Sequence, residues 1–236
     1  MFPSQLYNSV GQITNTLIYS SNWWEAGGAT GCVAAYAAKG AASYAASKVN
    51  LVSPGTYDLT EVSTGASPSW SAARGWYTWI GKVFDTGIYP GIGTWTVICS
   101  VANCTNPPPV FSAVFGATGI VLGVRKYLLF AIQTNYGGAG PRYYAPNGTT
   151  VLEPFISSSA VYAIAGQTAY KNGVLATALM GTPTMADLSL KIGAYQEPDS
   201  SNCLGRFYAD ICAFAVYNTT LSAAQVAAVS AAMAAI

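Results

Sequence analysis

Short apolar runs separated by turn residues occupy most of the chain from residue 32 onwards. Clusters of glycine, proline, asparagine and serine lie between the runs, which is typical of an all-β sandwich of antiparallel strands. The Asn172-Gly173 pair stands between two such runs and predicts a hairpin with a two-residue turn. We expect loops at 107–109 and 137–146. The predicted strands cover 33–36, 76–80, 94–101, 110–115, 120–124, 128–134, 161–165, 168–170, 175–178, 188–194 and 207–217.

The last residues of the sequence carry the clearest helical pattern. Ser222 and Gln225 have the spacing of a capping box, and alanine, the strongest helix former, dominates the residues after them. The apolar positions fall on one stripe at helical spacing: Val226, Val229, Met233 and Ile236. We predict a short C-terminal helix from about Ser222, with this stripe packed on the sandwich or on a neighbouring subunit.

Residues 1–30 differ in pattern from the rest of the chain. Apolar residues recur there at helical spacing, but Gly11, Asn15 and other polar residues weaken a helix. We therefore predict an N-terminal arm over 1–30 and a sandwich domain over 31–236. The arm could lie on the sandwich domain or on a neighbouring copy of the chain, and we expect the neighbouring copy. Its assembly residues would be Leu6, Val10, Ile13, Leu17, Trp23 and Trp24.

The low charge content predicts a surface that is mostly neutral. Only 8% of the 236 residues are charged, with 10 Lys plus Arg against 9 Asp plus Glu, whereas an ordinary soluble domain carries about 25%. A net charge of +1 without a basic run excludes a nucleic-acid binder. The most apolar stretch, 110–129, is interrupted by glycines and by Arg125-Lys126, so we expect no membrane span. A neutral, aromatic-rich surface suits permanent contacts between copies of the chain.

The residue types also limit the chemistry. The absence of histidine removes Ser-His-Asp and Cys-His catalytic systems and histidine zinc sites, so we expect no cofactor. The five cysteines leave at least one thiol without an intramolecular partner. Cys99 and Cys104 could form a disulfide across a tight reversal, and Cys203 and Cys212 could pair only if the chain turns between them. Buried free thiols are the alternative for each.

Several stretches of the sequence share the pattern of one domain family. They are VAAY (33–36), GAAS (40–43), SKVNL (47–51), PG (54–55), YDL (57–59), PSW (68–70), GW (75–76), FDTG (84–87), ICAFAVYN (211–218) and LSAAQ (221–225). Together they resemble a laminin-G-like domain of the concanavalin A-like jelly-roll class, over about Cys32 to Ile236. The resemblance implies a concanavalin A-like antiparallel β-sandwich. The sequence is also similar in style to domains of phage and metagenomic virion proteins.

The chemistry of this family has few matching residues here. Laminin-G-like domains often bind calcium through loop carboxylates, and the only comparable loop offers Glu197, Asp199 and Asn202 as oxygen ligands, although a solvated turn explains them equally well. Hydrolytic relatives need two facing carboxylates. We predict that no two acids pair in an open cleft, the acids concerned being Glu153, Asp187, Glu197, Asp199 and Asp210.

Aromatic residues offer a possible sugar-binding surface on this fold. Their rings could stack on sugars, although core packing and subunit contacts also use aromatic rings. The candidates are Trp76, Trp79, Tyr136, Tyr143 and Tyr144.

These observations lead to a structural function as the first expectation. The chain would be a non-enzymatic, self-assembling subunit of a virion, such as a capsid decoration or a head or tail fibre, or of an extracellular filament. Its partners would be copies of itself and a capsid or tail protein. The first residues, Met1 to Gln5, have no signal-peptide pattern. The alternative is a carbohydrate-binding or adhesion module on the same fold, with glycans as partners.

Overall fold

The structure is a computed structural model that describes residues 22–63, 69–78, 82–90, 94–103, 111–121, 124–133, 140–144, 150–152, 159–178, 188–196, 203–204 and 209–236. A 3₁₀ helix (Trp23–Gly28) precedes the first strand, and the α-helices are α1 (Tyr44–Ser47) and α2 (Ala223–Ala234). The strands are β1 (Cys32–Ala37), β2 (Thr60–Ser63), β3 (Ser69–Ser71), β4 (Gly75–Thr78), β5 (Lys82–Asp85), β6 (Thr96–Ala102), β7 (Phe111–Val121), β8 (Val124–Gln133), β9 (Gly140–Tyr144), β10 (Thr150–Leu152), β11 (Ala160–Ala165), β12 (Thr168–Lys171), β13 (Val174–Ala178), β14 (Lys191–Ile192), β15 (Tyr195–Gln196), β16 (Cys203–Leu204) and β17 (Ala209–Tyr217).

These strands form two large antiparallel sheets. The first has the order β13-β12-β11-β6-β17-β4-β3, and β1 also pairs with β17. The second has the order β10-β9-β8-β7-β14-β5-β2, and β15 and β16 form a separate short pair. The predicted all-β sandwich with a C-terminal helix is therefore confirmed.

The first sheet is covered on both faces. One face packs against the second sheet, where Tyr36, Trp76 and Phe214 meet Phe84 and Ile192. The opposite face, which carries alternate residues of the same strands, packs against α2 and the 3₁₀ helix. All nine residues of β17 are buried for this reason. A strand buried on both faces has an unbroken apolar sequence rather than an alternating one.

Helix α2 closes the outer face as the capping box predicts. Ser222 Oγ accepts a hydrogen bond from the Gln225 amide (3.3 Å), and Gln225 Oε1 accepts one from the Ser222 amide (2.9 Å). Val226, Val229 and Met233 are buried against the chain's own sheet. The sequence analysis left open whether this apolar stripe packs on the sandwich or on a neighbouring subunit. In the structure it packs on the sandwich. Within the described residues, no helix is long and apolar enough to cross a bilayer.

The end of the predicted arm packs inside the sandwich domain. Trp23 and Trp24 are buried with the residues of α2, and Tyr217 donates its hydroxyl to the Trp24 carbonyl at 2.7 Å. Their burial needs no neighbouring copy, because the chain's own helix and sheet supply the contacts. Four of the predicted assembly residues lie outside the described residues, so their role stays a prediction: Leu6, Val10, Ile13 and Leu17.

The strand predictions differ from the structure in two ways. They miss six short strands, and they place boundaries wrongly in segments that contain glycine. The missed strands are β2, β3, β5, β10, β15 and β16. The sequence predicts separate strands at 110–115 and 120–124, but β7 runs continuously from Phe111 to Val121. Gly116 pairs with Leu129 of β8 in mid-strand, so it does not end the strand. The expected loop at 137–146 contains β9, and the expected strand at 188–194 is only the two residues of β14.

Candidate ligand-binding surface

The sugar-stacking candidates from the sequence divide into three groups. The prediction that Trp76 stacks on sugars is wrong, because its side chain is fully buried between the sheets. Its Nε1 donates a hydrogen bond to Ser47 Oγ at 2.8 Å. Tyr143 and Tyr144 lie on β9, and their stacking role stays a prediction. Trp79 and Tyr136 lie outside the described residues, as do the calcium candidates Glu197, Asp199 and Asn202.

Two other tyrosines are exposed in the structure. The side chains of Tyr57 and Tyr89 are 43% and 58% exposed. A β-carbon placed on Gly87 would lie 3.9 Å from Tyr57 Cδ1, so the Tyr57 ring borders the segment that carries Tyr89. We call Tyr57, Asp85, Gly87 and Tyr89 the tyrosine surface. The sequence offers one signal for it, since each tyrosine stands two residues after a glycine in a turn-rich segment, and such segments usually lie on the protein surface.

The loop that carries Tyr57 is fixed by buried polar groups. Asn50 is fully buried: its Oδ1 accepts from the Ala35 and Val52 amides, and its Nδ2 donates to the Val33 and Thr56 carbonyls. All of the hydrogen-bonding capacity of its amide is thus used on backbone groups. Such a saturated buried asparagine makes the loop part of the core rather than a free surface segment.

The backbone at Tyr57 is held in an uncommon conformation. Its φ of +60° lies in the left-handed region, which bulky side chains rarely adopt. Tyr36 donates its hydroxyl to the Tyr57 carbonyl at 2.5 Å, and burial raises the pKa of the Tyr36 phenol, which therefore remains a donor. Asp58 Oδ1 accepts from the Asn50 and Gly55 amides at 2.8 and 3.2 Å. An exposed ring held by a strained backbone is a feature of ligand-binding positions.

The segment that carries Tyr89 is fastened to the strand beside it. Thr86 donates its amide and its hydroxyl to the Leu190 carbonyl at 3.1 and 2.9 Å, and the Leu190 amide donates to the Ile88 carbonyl at 2.7 Å. Thr86, Ile88 and Pro90 are buried, whereas Gly87 and Tyr89 between them are exposed. Gly87 and Tyr89 are therefore exposed positions in a segment whose backbone is held by hydrogen bonds and by buried neighbouring residues.

A charged pair lies at the base of the tyrosine surface. Lys191 Nζ is 2.6 Å from Asp85 Oδ2 and 2.8 Å from Ser189 Oγ, and the Gly87 amide donates to Asp85 Oδ1 at 2.9 Å. Burial raises the pKa of Asp85, but Lys191, Ser189 and the Gly87 amide together outweigh burial and hold this pKa below its ordinary value. Asp85 is therefore ionised at neutral pH, and its charge is compensated by Lys191.

A second charged cluster lies at the end of the first sheet. Asp210 is fully buried and accepts from Arg74 Nε (2.8 Å), Arg74 Nη2 (3.0 Å) and Asn103 Nδ2 (2.6 Å). The guanidinium of Arg74 lies 5.2 Å from the centre of the Tyr77 ring. Asp210 thus faces a cation and an amide rather than a second acid. The other acids of the predicted unpaired set, Glu153, Asp187, Glu197 and Asp199, lie outside the described residues.

The cysteines that the structure describes lie in the sandwich. Cys99 is buried in the core between the sheets, and Cys104, its predicted partner, lies outside the described residues. Cys32 and Cys212 are free thiols. Burial raises the pKa of Cys32 to about 12 and also raises the pKa of Cys212. Neither thiol has the thiolate character that a reactive cysteine needs.

Comparison with known proteins gives a likeness of fold alone. The chain matches no family profile and no curated protein sequence. It is similar to Trypanosoma rangeli sialidase in complex with the inhibitor DANA, with TM-score 0.57 and 14% identity over 86% of this chain and 33% of the sialidase chain. It is also similar to domain 4 of AbnA, a GH43 extracellular arabinanase from Geobacillus stearothermophilus, in complex with arabinotriose. That match has TM-score 0.53 and 13% identity over 84% of this chain and 98% of the other.

The chain thus spans about a third of the sialidase but nearly all of the arabinanase domain. These solved structures belong to carbohydrate-active proteins, and the comparison provides no link to phage proteins. The expectation of a structural virion or filament subunit is therefore corrected. The alternative from the sequence, a carbohydrate-binding module, fits these structures better.

Proposed function

We propose that this chain is a non-catalytic carbohydrate-binding module with a concanavalin A-like sandwich, and that it binds glycans on the tyrosine surface. The observation that carries the proposal is the pair of exposed rings, Tyr57 and Tyr89, that border one rigid segment. Tyrosine rings offer an apolar face for the C–H groups of a sugar and a hydroxyl for its polar groups. The fixed support reduces the conformational entropy that binding would cost.

The charge of the surface favours a neutral glycan. The carboxylate of Asp85 is compensated by the ammonium of Lys191, so the surface has no excess charge of either sign from this pair. The carboxylate oxygens remain at the base of the surface as acceptors for sugar hydroxyls. The arabinanase domain, which this chain covers almost completely, is described in complex with arabinotriose. A neutral arabino-oligosaccharide is accordingly the first ligand to test.

Two of the acids that the structure describes, Asp85 and Asp210, favour binding over catalysis. A general acid in glycoside hydrolysis needs a raised pKa and a second carboxyl group nearby. The pKa of Asp85 is lowered, and Asp210 is held by Arg74 and Asn103. Asp85 therefore lacks the raised pKa of a general acid, and the partners of Asp210 are a cation and an amide rather than a second carboxyl group.

The experiment is titration calorimetry with arabinotriose, beside a broad glycan array that includes sialylated glycans. The variants Tyr57→Asn and Tyr89→Ala each remove one ring, and asparagine tolerates the left-handed backbone at position 57. We expect each variant to weaken binding by tenfold or more while the melting temperature stays within a few degrees. Leu175→Ala is the matched control, because Leu175 is also a large exposed side chain (61%) but lies on β13 of the other sheet.

Retention of a sialylated glycan instead of arabinotriose would support the function with a different ligand, provided that the two tyrosine variants abolish it. The proposal is overturned if the array retains no glycan. It is also overturned if binding survives loss of both rings, or if Leu175→Ala weakens binding as much as the tyrosine variants do.

A further inference from the structure

Asn172 connects the turn of the β12–β13 hairpin to β11. Its backbone amide donates to the Val161 carbonyl at 2.7 Å, and its Oδ1 accepts from the Val161 amide at 2.8 Å. The last residue pair of the β11–β12 ladder is Tyr162 with Lys171, so Asn172 extends this ladder by one residue. Its side-chain oxygen takes the place that a backbone carbonyl occupies in a regular antiparallel pair.

The turn itself is tightly constrained. Asn172 and Gly173 have φ values of +51° and +75°, the positive values that a two-residue turn of this kind requires at both positions. A β-carbon on Gly173 would lie 2.7 Å from Ala227 Cα, so the turn also packs closely on α2. The turn therefore has little room for additional backbone atoms.

An asparagine followed by glycine is also chemically labile, as asparagine is thermolabile in general. The backbone nitrogen of the glycine attacks Cγ of the asparagine, and the side-chain NH₂ leaves with the proton of that nitrogen as ammonia. Water then opens the resulting succinimide ring at either carbonyl, which gives aspartate or isoaspartate. Glycine favours the attack because it has no side chain to obstruct its nitrogen and its backbone is conformationally free.

The folded hairpin opposes this reaction at Asn172. The attack requires Cγ to turn towards the Gly173 nitrogen, which would break the hydrogen bond between Oδ1 and the Val161 amide. Asn172 is exposed to solvent, so its protection comes from these hydrogen bonds rather than from burial. We infer that Asn172 is a deamidation site that the folded hairpin keeps inactive and that reacts when the hairpin opens. Its rate then follows the population of the open form, because deamidation is slow relative to opening and closing.

The two products have different consequences for the fold. Aspartate keeps the backbone unchanged, and its carboxylate accepts from the Val161 amide as the asparagine oxygen does. Isoaspartate places the former side-chain methylene in the main chain and lengthens the two-residue turn. Isoaspartate at position 172 therefore prevents the hairpin from forming again, and unfolding becomes irreversible.

The first experiment compares deamidation of the full chain in native buffer and in urea, at mildly alkaline pH in heavy-oxygen water. The heavy oxygen labels each new carboxyl group, and peptide mapping by mass spectrometry locates it. Asn147-Gly148 is the internal control, since it is the other Asn-Gly pair of the sequence and lies outside the described residues. In urea we expect the two pairs to react at similar rates. Asn172 should react at least tenfold more slowly in native buffer than in urea.

The second experiment tests refolding with Asn147→Gln, which leaves Asn172 as the one asparagine followed by glycine. Chains that have been kept in urea are diluted into native buffer, and the folded and unfolded fractions are separated and mapped. Isoaspartate at position 172 should be confined to the unfolded fraction. Asn172→Asp is the control for the change of charge, and it should fold with a melting temperature within a few degrees of the wild type.

The inference is overturned if Asn172 reacts less than tenfold more slowly in native buffer than in urea, or if it does not react in urea at all. Refolding of isoaspartate chains as complete as that of unmodified chains overturns the role of the turn length. Neither experiment involves a glycan, so the outcome is independent of the proposed function.

Discussion

Asp210 shows how one buried residue depends on a distant partner. Its side chain is fully buried on β17, and Arg74 satisfies it through two hydrogen bonds from the turn before β4. The sequence identifies Asp210 as an acid but gives no sign of its partner, because the two residues are 136 positions apart. The same limit applies to Asp85 and Lys191, which are joined only by the pairing of β5 with β14.

Replacing Arg74 with methionine should destabilise the fold strongly. The change leaves the buried Asp210 carboxylate with Asn103 as its remaining side-chain partner among those described. Breaking a fully buried ion pair costs roughly 3–5 kcal/mol. The Arg74 side chain is about half exposed, so we expect Arg74→Met to lower the free energy of unfolding by only about 2–3 kcal/mol, as measured by urea titration.

Lys48→Met is the control for Arg74→Met, because the Lys48–Glu61 pair is partly exposed at both ends. It should cost less than about 1 kcal/mol, as exposed pairs do. Equal effects of the two variants would contradict the assignment of Asp210 as a carboxylate that needs Arg74.

Asp85 should make the stability of the protein depend on acid pH. Its pKa is lower in the folded chain than the unfolded value of about 3.9. Its contribution to stability is therefore complete above that value and is lost as the pH falls through the lower folded pKa. Urea unfolding of the wild type and Asp85→Asn should differ most at pH 6–7, and the difference should shrink below about pH 4.

Glu61→Gln is the control for this pH series. It removes an acid from the exposed pair with Lys48, and its effect on unfolding should be small throughout. If the difference in unfolding free energy between wild type and Asp85→Asn stays constant from pH 7 to pH 2, Asp85 contributes through packing rather than through its charge.

At the scale of elements, the sequence predicts best where the pattern is local. The Asn172-Gly173 pair occupies the hairpin turn between β12 and β13 with φ values of +51° and +75°, and the capping box starts α2. Both signals involve residues within four positions of one another. Long strands such as β7 are harder to predict, because partners on both sides stabilise its internal glycines while the local sequence favours a break.

Gly173 has a second role that the hairpin pattern does not reveal. A β-carbon there would lie 2.7 Å from the Ala227 Cα of α2, so the turn and the helix approach closely. Gly173→Ala should therefore combine backbone strain with overpacking. Gly55→Ala is the matched control, because Gly55 also has a positive φ (+86°) but no atom within 4 Å of the added carbon.

We expect Gly55→Ala to cost about 1–2 kcal/mol from backbone strain alone. Gly173→Ala should cost a further 1–3 kcal/mol or so from overpacking against the helix. Thermal unfolding of the two variants measures the difference. Similar melting temperatures would contradict the close packing of this hairpin on α2.

At the scale of the whole molecule, the three-layer arrangement explains why the residues of the proposed binding surface could not be predicted from the sequence. The first sheet has one face on the second sheet and the other on α2, so aromatic residues of both faces are buried. Trp76 is one of these, although the residues around it in the sequence give no stronger indication of burial than those around Tyr57. Exposure depends on which sheet edges and loops remain uncovered, and that results from the packing of layers rather than from a local pattern.

The 3₁₀ helix and α2 cover the outer face of the first sheet, and two truncated chains test how far the 3₁₀ helix stabilises the fold. One lacks residues 1–21, and the other lacks residues 1–24. The second removes Trp23 and Trp24 from the cluster that contains Val229 and Met233, and it also removes the Trp24 carbonyl that accepts from the buried Tyr217 hydroxyl. Loss of one buried tryptophan side chain costs about 3–5 kcal/mol. Loss of both approaches the roughly 5–15 kcal/mol that holds an ordinary domain together.

We therefore expect the chain that begins at residue 22 to unfold cooperatively and the chain that begins at residue 25 to be largely unfolded, as measured by circular dichroism and urea titration. Trp23→Phe and Trp24→Phe, made singly in the longer chain, should have intermediate stability because phenylalanine keeps part of each contact. Sedimentation of the full and the longer truncated chains tests the separate prediction that the first residues join copies of the chain. Equal stability of the two truncated chains would show that the tryptophans do not hold α2 to the sandwich.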